Sequence, residues 1–559
     1  MLRRRLVGGA VLAAASGSVL SCGGPPGEVV VAEQYARAFA KQDAAVMYGL
    51  LSDAGRKRVT RERFIELHSQ ALATATATRV VAGPVKRVDD THVDVPITVR
   101  TRIFGTIRGT LALALTDEDR PGVDWRRNLV FPGIPDGAQL SRKLRLPPRG
   151  TLLSRDEQVL AEGDARTPAA DVADVARDTV GQLGPIPAER REGLLAMGVP
   201  ADATVGLSGL ERALDDRLRG TPGGTLSAGA TVLAQRAPRQ AQAVRTTIAP
   251  AVERAAVTAL AGRLGGVVAV NPRTGEVLAF AGIAFSGLQP PGSTFKIVTL
   301  AGALEAGITD ERETFPVQTA ATLEGVELQN ANRESCGGSL ANSFAESCNS
   351  VFAPLGAELG AAKLVATAEK FGFNTRPDIP GAATSTLPPP DAIGDALAVG
   401  SSAIGQGRVQ ATALQMATVA ATIALGGRRP RLTLAIQERV DNTKLRPVVD
   451  PSAARTVGRL MLDVVSYGTG RAAAIPGVKV AGKTGTAELE STQTCDPTPD
   501  SPESCVDVSD PTDTDAWFAA FAPGDQTVPK VAVGVLLVRA GSGGDTAAPV
   551  ARQVLVAAL

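Results

Sequence analysis

Histidine is almost missing from this chain: two occur in 559 residues, His68 and His92. Any serine chemistry beyond them must find a base other than imidazole, because a Ser-His-Asp triad would have to borrow a histidine from the N-terminal segment. Aromatic residues make up only 3%, which leaves no stacking platform for single-stranded nucleic acid. Fifty-eight Lys and Arg stand against 57 Asp and Glu, a net charge of +1, so no global field favours a polyanion. Nucleic acid is therefore excluded as a partner. Cysteine is also scarce, and no histidine accompanies the five present, which argues against zinc. Gly468-Thr469-Gly470 is a lone G-x-G without P-loop spacing and reads as a turn, so the sequence calls for neither cofactor nor metal.

Long apolar runs are equally rare. The one near the N-terminus, Leu6 to Ala15, follows the basic Arg3-Arg4-Arg5 and ends in Ser18-Val19-Leu20-Ser21-Cys22, the layout of an export signal over residues 1–22. Cys22-Gly23-Gly24 resembles a bacterial lipoprotein cleavage site, at which the cysteine is lipidated. The alternative is an uncleaved anchor, although Leu6 to Ser21 falls short of the roughly 20 apolar residues a span needs. No later stretch is expected to cross a bilayer. The other four cysteines fall in local pairs, Cys336 with Cys348 and Cys495 with Cys505. An even exported count permits two disulfides, sequence alone leaves three connectivities open, and a buried free thiol is the alternative for Cys348.

The chain is long enough for about three or four domains. Tyr35 and Phe39 lie on a helical pattern, Arg61 to Ala73 continues with a second helix, and Val93 to Val99 and Gly109 to Leu115 alternate as strands. A small α+β unit over 28–135 is expected. A Pro-rich, basic linker leads to Arg149-Gly150, and a helical pattern with a glycine stop spans Gly209-Leu210-Glu211 to Gly220. From about residue 255 two apolar runs, Gly265 to Val270 and Glu276 to Ala281, form a strand pair around a Gly-containing loop.

One hexapeptide organises the remainder of the chain. Pro291-Gly292-Ser293-Thr294-Phe295-Lys296 runs into the apolar stretch Ile297 to Leu304, so Ser293 opens a helix with Lys296 one turn on, within reach of its hydroxyl. A serine hydroxyl is a weak nucleophile until a neighbour removes its proton, and a lysine can do so when desolvation or a second cation keeps its amine neutral. Alone, the pair is better read as a helix cap beside a solvated lysine. Downstream come Ser347-Cys348-Asn349 and Lys483-Thr484-Gly485-Thr486.

The ordered set S-x-x-K, S-x-N, K-T-G is the signature of the penicillin-binding and β-lactamase superfamily, and Gly405-Gln406-Gly407, Gly468-Thr469-Gly470 and Asp515 to Phe521 accompany it here. From about Arg149 onward the chain resembles a class B penicillin-binding protein of the actinobacterial lipoprotein type. The resemblance implies a multidomain α+β protein. An NTF2-like domain (28–135) and a dimerisation, or pedestal, domain (140–250) would precede a transpeptidase domain (255–559) whose antiparallel sheet has helices on both faces.

The same resemblance implies a role for each motif residue. Ser293 would attack the carbonyl between two D-alanines of a peptidoglycan stem peptide, with Lys296 taking its proton. Ser347 would relay the proton to the leaving amine, and Asn349 would hydrogen-bond the substrate amide. Lys483 would supply a positive charge that favours neutral Lys296, and with Thr484 and Thr486 would bind the substrate carboxylate. Gly485 would let substrate lie against the strand, and N–H groups of Ser293 and Thr486 would form the oxyanion hole. Partners would be the D-Ala-D-Ala donor, β-lactams and division or elongation proteins, at the extracytoplasmic face of the plasma membrane. The motif does not separate a transpeptidase from a carboxypeptidase or β-lactamase, or from a non-enzymatic β-lactam sensor that has kept the pocket.

Overall fold

The computed structural model describes residues 27–116, 121–489, 493–495, 505–507, 513–526 and 528–559. The export signal and Cys22 lie outside the described residues, as do the side chains of Cys495 and Cys505, whose backbones pair in register in a short hairpin. The chain divides into two compact units. One takes the chain up to Leu146 with Ala188–Ala201 and Pro222–Pro238, and the other takes Pro147–Pro187, Asp202–Thr221 and Arg239–Leu559. Residues of the segment 140–250 contribute to both units.

In the first unit, helix Gly27–Lys41 buries Ala32, Tyr35, Ala36 and Phe39, the 3.6-residue stripe that drives an amphipathic helix into a core. Helix Arg61–Thr74 begins at Thr60, whose side chain accepts from the Arg63 N–H, and buries Phe64, His68 and Ala71. These helices pack on an antiparallel sheet. Its central strand His92–Thr101 pairs with Thr106–Ala114 along one edge, and with Ala77–Ala82 and Lys86–Arg87 along the other. Val93, Val95, Ile97 and Val99 alternate inward, as the two-residue period of a half-buried strand requires. His68 packs between Phe64 and Phe39, with ring centroids 4.3 and 5.9 Å away. His92 instead sits at the surface beside Asp89.

The second unit is built on a five-stranded antiparallel sheet in the order Val277–Gly282, Gly265–Val270, Val531–Leu537, Thr514–Ala522, Ala481–Glu488. Alternation sends Val268, Val270, Trp517, Ala519 and Phe521 to one face, where helices Ala413–Ala424 and Pro451–Ser466 pack. Val267, Ala269, Phe518 and Ala520 point to the other, under helices Pro250–Leu260 and Ala548–Ala558. Ala481–Glu488, which carries Lys483-Thr484-Gly485, is an edge strand with one strand neighbour among the described residues, so its other backbone edge pairs with no described strand. An open edge can accept an extended peptide as an added strand.

Helix Asn349–Phe371 corrects the expectation that nothing past the N-terminus could cross a bilayer, because its length and apolar composition suffice. Its apolar character belongs to a core helix. Phe352, Leu355, Leu359, Leu364 and Phe371 are buried among the residues that pack on the sheet, and Pro354 and Gly360 interrupt it. At its N-terminus Cys348 is bonded to Cys336, with Cα atoms 5.5 Å apart, which ties the S-x-N turn to strand Cys336–Ser339.

Arg149 and the segment from Gly209 meet in a buried ionic cluster. Arg149 donates to Glu211 and Asp215, Arg166 to the second Glu211 oxygen at 2.7 Å, and Arg219 to Asp215 at 2.6 Å. Burial would raise the Asp215 carboxyl, but the Gly206 N–H and Arg149 outweigh it and hold the group below the usual carboxylate range. The charges compensate one another, with Arg219 also reaching Asp216 at 2.7 Å, so removing one member leaves its partners under-compensated. Glu211→Ala is expected to cost about 3–5 kcal/mol, because it leaves Arg149 and Arg166 buried without their shared carboxylate. A urea midpoint unchanged from the parent protein would contradict this.

Candidate active site

The nucleophile turn is a 3-10 segment, Gly292–Phe295, that leads into α-helix Lys296–Glu305. Ser293 is therefore not the cap of that helix, and no side-chain cap hydrogen bond is made there. Gly292 adopts φ +52°, and a Cβ on it would come 2.6 Å from the Thr486 carbonyl oxygen. A Cβ on Gly485 would lie 2.7 Å from the Pro291 oxygen. Both contacts forbid a side chain, so these glycines let the nucleophile turn press against the Lys-Thr-Gly strand. The Gly292 N–H is held by the Gly405 carbonyl at 3.0 Å, which places the Gly405-Gln406-Gly407 loop behind the turn.

Three motifs far apart in sequence converge here. Lys296 is fully buried, and its Nζ donates to the Ser347 carbonyl at 2.6 Å, to Asn349 Oδ1 at 2.7 Å and to Ser347 Oγ at 3.3 Å. Lys483, also fully buried, donates to the same Ser347 Oγ at 2.7 Å and to the Thr484 carbonyl at 3.1 Å. One hydroxyl thus bridges two amines. Ser347 is held there with φ +64°, a left-handed conformation costly for a residue with a Cβ and characteristic of functional turns. Aromatic rings complete the walls, with Phe352 5.6 Å from the Lys296 amine and Phe344 5.6 Å from the Lys483 amine.

Burial sets the charge of both amines. Desolvation, and behind it the nearby Lys483, holds the Lys296 amine well below the usual lysine value. Burial pushes Lys483 down to about 7, against an upward pull from Glu346. Neutral Lys296 has two protons to donate and one lone pair. Its two short bonds go to the Ser347 carbonyl and Asn349, which leaves the lone pair for a hydroxyl proton.

Several positions differ from what the sequence implies. Ser293 Oγ makes no hydrogen bond among the described residues; the Lys296 amine is drawn instead to the carbonyl and amide oxygens of the S-x-N turn. Asn349, which the resemblance implies hydrogen-bonds the substrate amide, also accepts from Lys296 at Oδ1 and donates from Nδ2 to the Gln329 carbonyl at 2.7 Å. It anchors the base. The resemblance also has Gly485 making room for substrate, and in the structure it makes room for Pro291 and Thr294. Thr484 turns its hydroxyl to Thr469, 2.6 Å away, and Thr469 also bonds the Ala345 carbonyl. Thr486 accepts from the Gly543 N–H at 3.3 Å. Thr469 lies in the G-x-G turn, where nothing in the spacing marks its hydroxyl as part of the site.

A family model described as penicillin binding protein transpeptidase domain matches residues 265–556. Models for an NTF2-like N-terminal transpeptidase domain and a penicillin-binding protein dimerisation domain match 30–138 and 171–231. Peptidoglycan D,D-transpeptidase PbpA of Mycolicibacterium smegmatis is 36% identical over 413 residues, which cover 63% of this chain and 79% of that protein. The PbpA of Mycobacterium tuberculosis is 34% identical over 377 residues, 56% of this chain and 72% of that protein. Among solved structures, PBPA from Mycobacterium tuberculosis superposes with a TM-score of 0.55 at 29% identity, covering 74% of this chain and 99% of that one. A ceftriaxone acyl-enzyme complex of the same protein gives 0.54 at 28% identity, covering 74% and 98%. With the transpeptidase model spanning more than half of its residues, and the buried Lys296–Ser347–Lys483 arrangement beside Ser293, the chain belongs to the penicillin-binding protein transpeptidase family.

Proposed function

We propose that this protein is a peptidoglycan D,D-transpeptidase that works through an acyl ester on Ser293 and is acylated there by β-lactams. The observation that carries the reading is the pair of buried lysines sharing the Ser347 hydroxyl next to an otherwise unengaged serine. In the first half-reaction the Ser293 hydroxyl adds to the carbonyl carbon of the penultimate D-alanine while its proton passes to neutral Lys296. The C–N bond then breaks. The departing D-alanine amine takes the Ser347 proton, and Ser347 is reprotonated from Lys296. In the second half-reaction an amine from a neighbouring stem peptide attacks the ester carbonyl, its proton returns to the Ser293 oxygen, and the crosslink is released. Asn349 positions Lys296 throughout. In this reading Lys483, Thr484 and Thr486 bind the substrate carboxylate, and the edge of strand Ala481–Glu488 receives the peptide backbone, a role that its lack of a second strand neighbour among the described residues supports.

Water in place of the second amine would make the same site a carboxypeptidase, and rapid hydrolysis of a β-lactam ester would make it a β-lactamase. The PbpA relatives, named as D,D-transpeptidases, favour the crosslinking outcome. The N-terminal signal favours action at the extracytoplasmic face of the membrane, with lipid on Cys22 or an uncleaved anchor as the tether, where division or elongation proteins could be met. The functional divisions proposed are 28–135, 140–250 and 255–559.

Ser293→Ala is expected to abolish covalent labelling by a fluorescent penicillin; a labelled band that survives the substitution would sink the assignment. The electrostatics predict a pH effect. Loss of the Lys296 proton creates the base, so the acylation rate should rise on the acid side as that amine deprotonates. In Lys483→Gln the repulsive charge is gone and Lys296 holds its proton to higher pH, so the acid limb of the rate profile should move upward in pH while the rate falls. Stopped-flow acylation across pH reads both, and an acid limb that stays in place would contradict the coupling.

A further inference from the structure

The first unit holds a cavity of about 680 Å³ that the acyl-transfer chemistry does not use. This volume falls within the range of roughly 300–1,000 Å³ typical of small-molecule sites. Phe39, Met47 and Leu72 supply an apolar wall between helices Gly27–Lys41 and Arg61–Thr74. His68, also on the wall, is 4% exposed, and its Nε2 finds no hydrogen-bond partner. A buried ring nitrogen without a partner is uncommon, because its desolvation is then uncompensated.

The charge on the lining has one sign. Arg102 and Arg142 both reach the cavity, and no carboxylate lines it among the described residues. Arg142 spends one nitrogen, Nη1, on the Ala73 and Thr74 carbonyls at 2.8 and 3.3 Å, which fixes the guanidinium at the end of helix Arg61–Thr74. Its other N–H groups carry no protein acceptor among the described residues. Arg102 is exposed and makes no ion pair among the described residues. A planar guanidinium with a free edge is suited to a carboxylate.

We propose that this cavity binds an amphipathic monocarboxylate, with its apolar body against Phe39, Met47 and Leu72 and its carboxylate at Arg102 and Arg142. The head group could belong to an acyl chain or to the C-terminus of a short peptide; the shared chemistry is a carboxylate on an apolar body. Ligand-observed NMR on the full chain tests this with octanoate, with octan-1-ol as the uncharged match. Octanoate is expected to bind saturably and at least ten-fold more tightly than octan-1-ol. Arg102→Ala, at an exposed position, should weaken octanoate at least ten-fold and leave octan-1-ol unaffected, and Ser69→Trp, from an exposed helix position on the cavity wall, should exclude both. N-acetylphenylalanine competing with octanoate would assign the site to peptide carboxylates, and failure to compete would assign it to acyl carboxylates. No saturable octanoate binding, equal affinity for octan-1-ol, or octanoate affinity unchanged in both variants would overturn the proposal.

Discussion

Two lysine amines buried against one serine hydroxyl cannot both stay charged, and the catalytic unit is arranged around that constraint. Water would normally stabilise each ammonium, but here Phe344, Phe352 and the surrounding backbone replace it. Lys483 keeps the more favourable surroundings, with Glu346 favouring its charge, so Lys296 bears most of the cost and becomes the base. Ser347 is the hinge of this division. Its hydroxyl accepts from Lys483 at 2.7 Å, lies 3.3 Å from the Lys296 amine, and sits between Lys296 and whatever group must be reprotonated.

Much of the scaffold serves to hold that triangle beside Ser293. Gly292 and Gly485 bring the nucleophile turn onto the Lys-Thr-Gly strand at distances no side chain would allow. The Cys336–Cys348 bond ties the turn that carries Ser347 to its neighbouring strand, where the left-handed backbone of Ser347 would otherwise be free to relax. The Glu211–Asp215 cluster works in the same unit through charge compensation, joining Arg149 to Glu211, 62 residues further along the chain.

The sheet was legible in the sequence wherever apolar runs alternate or stay continuous. Gly265–Val270 and Val277–Gly282 form where the patterns place a strand pair. The site residues were legible because their types and order are chemically distinctive: a serine with a lysine three positions on, then Ser-Cys-Asn, then Lys-Thr-Gly. Their partners were not. Sequence spacing cannot show that Asn349 spends its amide on Lys296 and Gln329, or that Thr484 meets Thr469, because those contacts depend on how distant turns stack. The helical run after Asn349 shows a related limit of local pattern, being long and apolar enough to span by length and composition alone. Composition does not distinguish a helix enclosed by protein from one enclosed by lipid, and Phe352, Leu355 and Leu359 meet protein. The division of 140–250 between two units also leaves no trace in local pattern, since strands Gly223–Ala228 and Thr231–Arg236 join Leu140–Arg145 by long-range pairing.

The central claim is that Lys296 is neutral at physiological pH in the free enzyme. Carbon NMR of the chain labelled with ε-13C lysine, with the Lys296 resonance assigned by its loss in Lys296→Arg, measures that ionisation directly. The account predicts the chemical shift of a neutral amine at pH 7, with titration only at lower pH. A Lys296 resonance that remains that of an ammonium until it titrates near the ordinary lysine range would contradict it.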